Sequence, residues 1–142
     1  MASINPYLNF DGNTEEVFDF YKSVFGGEFI SVMRFKDAPS GEANVEADYG
    51  NKIMHIALPI GKSNILMGSD APEHYETIPG TNIQISIDTE SEDEATRLFN
   101  GLAAGGKITL ALGKTFWGSF FGMLQDKYGI NWMVSYNEQP QS

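Results

Sequence analysis

The chain carries one pattern twice, and a chain that repeats itself at half its length is constrained to fold as two copies of one supersecondary unit. An alternating segment, Ile4 to Phe10, leads to Asn13 in a helix-capping position, then to apolar residues at helical spacing (Val17, Phe20, Tyr21, Val24) and the pair Gly26-Gly27. The order recurs as Asn82 to Ile87, Ser91, then Ala95, Leu98, Phe99 and Leu102, and Gly105-Gly106. Cap and stripe residues are offset by 78 positions throughout (13 to 91, 17 to 95, 24 to 102). Glu16 and Glu94 stand three residues after each cap, the spacing of a capping box.

A length of 142 residues suits one domain of ordinary size, here two half-size units. No cysteine is present, which removes disulfides, thiolate metal sites and thiol catalysis and accords with a reducing compartment. No basic segment precedes a long apolar run, and no apolar stretch approaches about 20 residues, so the expectation is a cytoplasmic protein without membrane contact. Nineteen acidic against nine basic residues give a formal charge of −10 with no Lys/Arg cluster, which opposes nucleic acid and anionic membranes as partners. Aromatics at 13% exceed the needs of a small core, so a pocket or a subunit interface is expected to take the surplus.

The alternating and helical periods predict strands at 4–10, 28–35, 51–60 and 63–68 around a helix at 14–25, and strands at 82–87, 107–112, 119–124 and 130–136 around a helix at 92–104. The fold class is therefore α+β, two βαβββ modules (1–69 and 81–136) joined by a linker at 70–80 containing Pro72 and Pro79. Residues 36–49 read as a long polar excursion, and the residues after Tyr136 as a tail. Each helix covers one sheet face only, so Ile4, Leu8 and Phe10, with Ile83, Ile85 and Ile87, are expected against helices. The opposite faces then carry Asn5, Tyr7 and Asn9 in one module and Asn82, Gln84 and Ser86 in the other.

The segments PYLNFDGNTEEVFDFYKSVFGGE (6–28), KIMHIALPIG (52–61) and FWGSFFGMLQDKYGINWMV (116–134), set in this paired layout, resemble the vicinal-oxygen-chelate superfamily of glyoxalases, bleomycin-resistance proteins and extradiol dioxygenases, and its PhnB-like branch most closely. The resemblance implies a curved mixed sheet around a cup, helices on its outer face, and a homodimer. It also implies a divalent metal whose ligand positions fall near Asn5, at Leu66 or Met67, near Asn82, and at Met133. Amides and thioethers there are poor ligands for a hard divalent ion, so the expectation is no cofactor. Some PhnB-like relatives carry a demethylubiquinone methyltransferase label, but no Gly-rich loop follows the first strand.

His55, inside an apolar strand, is the candidate acid–base residue, with a hydrogen-bonded structural role as its alternative. His74 reads as solvated. Trp117 is a candidate stacking platform or lid, or else core. With Met133 as a pliable wall, the set Asn5, Tyr7, Asn9, Asn82, Gln84 and Ser86 suits a small polar ligand better than bond-breaking. A metal-dependent lyase, isomerase or transferase using His55 is the alternative.

Overall fold

In the computed structural model, which describes residues 2–37, 49–72 and 75–137, the two periods become two four-stranded sheets, each with one helix. Most of the 36–49 excursion, His74, and residues 138–142 lie outside the described residues. The chain divides into two compact units, Met1–Ile78 and Pro79–Ser142.

Unit 1 comprises β1 (Tyr7–Phe10), α1 (Thr14–Phe25), β2 (Ser31–Arg34), β3 (Ile53–Ile60) and β4 (Asn64–Asp70). Unit 2 comprises β5 (Ile85–Asp88), α2 (Glu92–Ala103), β6 (Lys107–Lys114), β7 (Ser119–Gln125) and β8 (Asn131–Asn137). The sheet orders, β1-β4-β3-β2 and β5-β8-β7-β6, are the same order in each unit. In each, the first strand pairs parallel with the fourth and the other pairs are antiparallel. The repeat is exact for the helices, whose two ends are each 78 residues apart (14 to 92, 25 to 103), and for the bounds of β1 and β5 (7 to 85, 10 to 88). It is not exact for facing. Phe10 is buried on the helix side of its sheet, whereas Asp88, 78 residues later, is exposed on the side of Ser86, away from α2. A one-residue difference in facing exchanges the two sides of a strand.

Each helix seats an aromatic ring against a glycine in a strand. A Cβ on Gly68 would lie 2.7 Å from Phe18 Cε1, and one on Gly122 would lie 2.8 Å from Phe99 Cε2. These contacts fix the helix-facing side of each sheet. α1 buries Val17, Phe18, Tyr21 and Val24, so Phe18 takes the place expected for Phe20, which is half-buried. α2 buries the expected Ala95, Leu98, Phe99 and Leu102.

Three other expectations are corrected. β1 and β5 each begin three residues late, leaving Ile4 95% and Ile83 77% exposed rather than packed on helices. At β1 the reason is local: Pro6 has no N–H to give, and the Asn5 side chain, through Oδ1, accepts from Ile65 N at 3.3 Å where a main-chain bond would lie. The third concerns the caps. Ser91 Oγ accepts from Glu94 N at 3.0 Å, and Glu94 reaches back to Glu90 N at 2.8 Å, close to the expected box. Asn13 makes no side-chain cap bond. The buried carboxylate of Asp70, expected in the linker but ending β4, instead accepts from Gly12 N and Thr14 N through Oδ1 (3.0 Å each) and from Ile53 N through Oδ2 (2.7 Å). A strand residue thus caps α1, with the charge placed favourably at its N-terminus.

Candidate functional site

The side chains turned away from the helices are set by strand alternation, because neighbours in a strand point to opposite faces. In unit 1 the register rows Tyr7–Met67–Ala57–Ser31, Asn9–Ser69 and His55–Met33 lie on the side opposite Gly68 and Phe18. Tyr7 Oη lies 3.3 Å from His55 Nδ1, with ring centroids 5.8 Å apart. His55 is half-buried and Tyr7 44% exposed. Ser69 Oγ donates to Asn9 Oδ1 at 3.1 Å. The structure therefore brings Tyr7, Asn9 and His55 to one face and adds Ser69, Met33 and Met67. Asn5 lies beside this sheet but spends its oxygen on Ile65 N.

The side-chain chemistry of the Tyr7–His55 pair is specific. If the phenol donates to Nδ1, the imidazole carries its proton on Nε2; if Nδ1–H donates, Nε2 is an acceptor. Either tautomer leaves Nε2 as the nitrogen not engaged by Tyr7.

In unit 2 the face away from α2 carries the rows Ser86–Met133–Met123–Leu110 and Asp88–Ser135–Phe121–Gly113. Ser135 Oγ donates to Asp88 Oδ1 at 2.9 Å. Ser86 and Met133 are thus brought together, whereas Asn82 and Gln84 precede β5 and are exposed. Trp117 is 60% exposed in the β6–β7 turn, its ring centroid 4.9 Å from Phe116 and 6.1 Å from Phe121, so it is an accessible aromatic and not core. Sequence reasoning missed Asp88, Ser135, Ser69, Met33 and Phe121. Continuing the β5 alternation one residue past Ile87 would have found Asp88 on the face of Ser86.

The donor set does not fit a hard divalent ion. At the positions the resemblance assigns to metal, Asn5 is bonded to the main chain, Leu66 is buried at 2% exposure, Met67 and Met133 are thioethers, and Asn82 is an exposed amide. Among the described residues no three His, Cys, Asp or Glu side chains are grouped to hold a metal.

Two surface cavities of about 430 and 400 Å³ lie elsewhere in unit 1, around the N-terminus of α1, lined in turn by Asn13, Glu16 and Asp19 and by Arg34, Asn51, Lys52 and Asp70, with Gly12 and Glu15 in both. Glu15, Arg34, Lys52 and Asp70 are already engaged there. Arg34 holds Glu15 in a two-point bond (Nη1–Oε1 3.0 Å, Nη2–Oε2 2.7 Å) and also donates to Asn51 O, while Lys52 Nζ donates to Gly12 O. The Arg34 hydrogen bond, aided by its charge and that of Lys52 against slight desolvation, holds the Glu15 carboxyl below the usual range. Reciprocally, Glu15 raises Arg34. This pair ties β2 to α1.

Paired βαβββ modules, each with a mixed sheet of one order and one covering helix, define the glyoxalase and bleomycin-resistance class, the vicinal-oxygen-chelate fold. Solved structures described as glyoxalase-related or glyoxalase/bleomycin resistance/dioxygenase proteins share this fold at 15–16% identity. Within that class the chain belongs, over residues 2–135, to the family described as 3-demethylubiquinone-9 3-methyltransferase, the PhnB-like branch. It is similar to protein PA1353 from Pseudomonas aeruginosa, with 40% identity, a TM-score of 0.84 and coverage of 96% of this chain and 98% of that one. A Bacillus cereus structure described as a putative 3-demethylubiquinone-9 3-methyltransferase, PhnB protein, is 25% identical with a TM-score of 0.76, over 95% of this chain and 99% of that one. Protein YjdN of Escherichia coli K12 is 29% identical over 143 residues, 96% of each chain.

Proposed function

We propose that this protein binds a small polar metabolite or drug-like molecule on the sheet faces turned away from its helices, without a metal. The observation that carries the reading is the Tyr7–His55 pair, set beside Asn9–Ser69 and Met67 on the face turned away from α1. Hydrogen-bonding groups flanked by adaptable thioethers suit recognition of a small ligand. The methyl transfer in the family's description is not carried over to this chain, because β1 runs into α1 through Asp11-Gly12-Asn13, without a Gly-rich nucleotide loop. Equilibrium dialysis of the pure protein against a metabolite library tests the reading. Retention of a compound by the wild type and its loss in Tyr7→Phe or His55→Ala is expected; retention of nothing, or of a compound indifferent to both substitutions, sinks it.

A second reading, a lyase, isomerase or transferase with His55 as base or metal ligand, is favoured by the same pair, since an imidazole oriented through Nδ1 presents Nε2 for proton transfer. Elemental analysis of protein purified without chelator separates the two: stoichiometric Zn, Ni, Mn or Fe that disappears in His55→Ala supports the enzyme. We also propose a cytoplasmic homodimer. The dimer is supported by apolar exposure on or next to the edge strands β2 and β6, at Ile30 and Val32 by β2 and at Ile108, Leu110 and Phe116 by β6. Light scattering after size exclusion reads its mass directly.

A further inference from the structure

Accepting the binding role proposed above, we infer that the face of unit 2 away from α2 takes a planar aromatic ligand bearing a cationic or hydrogen-bond-donating nitrogen, with Asp88 as the residue that selects it. Asp88 is exposed, and its hydrogen bond from Ser135 Oγ fixes Oδ1. Oδ2 takes no hydrogen bond among the described residues. A carboxylate oriented by one bond, with its second oxygen presented, is an acceptor for an ammonium or amidinium group, and charge-assisted bonds of this kind are the strong ones.

The register supplies the rest of the site. Along one row run Asp88, Ser135, Phe121 and Gly113, so Asp88 and Phe121 stand two strands apart. At about 4.8 Å per strand this is roughly 10 Å, the span of a bicyclic aromatic with a short amine arm. The neighbouring row sets Met133 beside Met123, thioether edges that favour aromatic contact. The Trp117 ring lies 6.1 Å from Phe121 at 60°, and its indole N–H has no hydrogen-bond partner among the described residues. At the end of the row a Cβ on Gly113 would meet nothing within 4 Å, so the row ends in open space beside Phe121. An aromatic floor attracts cations further through its ring faces. The repeat isolates the feature: on the corresponding face of unit 1 the first strand presents Asn9, which accepts from Ser69 Oγ in the same way, so unit 2 carries a carboxylate where unit 1 carries an amide.

The test is calorimetric titration of the whole chain with naphthylethylammonium and with naphthylpropanoate, probes of one shape and opposite charge. The wild type is expected to bind the ammonium at least about tenfold more tightly, with Asp88→Asn abolishing that preference. Gly113→Leu, whose Cβ would meet nothing within 4 Å, adds bulk beside Phe121 and should weaken both probes, with circular dichroism checking that the fold is kept. Equal binding of the two probes, or a preference untouched by Asp88→Asn, overturns the ligand class while leaving small-molecule binding intact. Failure of both probes while library dialysis retains another compound also overturns the class. If nothing is retained in either experiment, it is the binding role itself that fails.

Discussion

Asp70 should carry the N-terminus of α1, and Asn13 should not. Asp70→Ala removes three hydrogen bonds from a side chain 2% exposed: Gly12 N and Thr14 N at 3.0 Å and Ile53 N at 2.7 Å. A bond to a charged acceptor contributes about 1.5–3 kcal/mol, and a buried donor left unpaired costs about 1–3 kcal/mol. These terms overlap, and water replaces the carboxylate at part-buried Gly12 more readily than at Ile53. The expected loss is therefore about 3–5 kcal/mol, a large share of the roughly 5–15 kcal/mol that folds a domain. Asn13 is exposed and makes no cap bond, so Asn13→Ala should stay within about 0.5 kcal/mol; a true cap residue would cost about 1 kcal/mol. Urea unfolding followed by far-UV circular dichroism is the assay, since both tryptophans lie in unit 2 and would not report on α1. With a slope of about 1–3 kcal/mol per molar urea, the Asp70→Ala midpoint should fall by about 2 M. An Asn13→Ala loss of 1 kcal/mol or more, with Asp70→Ala below it, would refute the assignment of the cap to β4.

Three further outcomes are expected. Thr14 Oγ1 is buried without a hydrogen-bond partner among the described residues, so Thr14→Val, which keeps the shape, should leave the protein equally stable or up to about 1 kcal/mol more stable in the same assay. Ser91→Ala removes the cap bond to Glu94 N and should destabilise unit 2 by about 1 kcal/mol, read from the fluorescence of Trp132. For the exposed Glu15–Arg34 pair the contribution should be only about 0.5 kcal/mol. Because the folded Glu15 pKa is depressed, this contribution is present above the unfolded carboxylate range and lost as pH falls through the folded value. The stability gap between wild type and Glu15→Gln should therefore hold from neutral pH to about pH 5 and close on further acidification.

The paired architecture was legible because two periods, 2 in the strands and 3.6 in the helices, are written without interruption around residues 14–25 and 92–103. The α1 boundaries follow from its apolar stripe and Gly26. The late start of β1 was legible only in part: Pro6, which has no N–H, marks it locally, but the Asn5 bond to Ile65, 60 residues away, leaves no local sign. Not legible at all was the role of Asp70, whose partners Gly12 and Thr14 lie 58 and 56 residues earlier and look locally like an Asn13 cap. The exchange of Phe20 for Phe18 turns on Gly68, an empty position that only packing reveals. At the candidate site, Tyr7, Asn9 and Ser86 could be read from alternation, but the facing of His55 could not, because β3 is apolar on both sides of it. Pairing with Tyr7 now fixes that face.

A small molecule held on the sheet faces opposite the helices is the function proposed for this protein. Methyl spectra of methionine-labelled protein, recorded across the metabolite library, test it most directly, because Met33 and Met67 mark that face in unit 1 and Met123 and Met133 mark it in unit 2. At least one compound is expected to shift these methyl resonances saturably, and Tyr7→Phe or Asp88→Asn to weaken the effect. Saturable binding that leaves all four methyl groups unmoved would contradict the proposal.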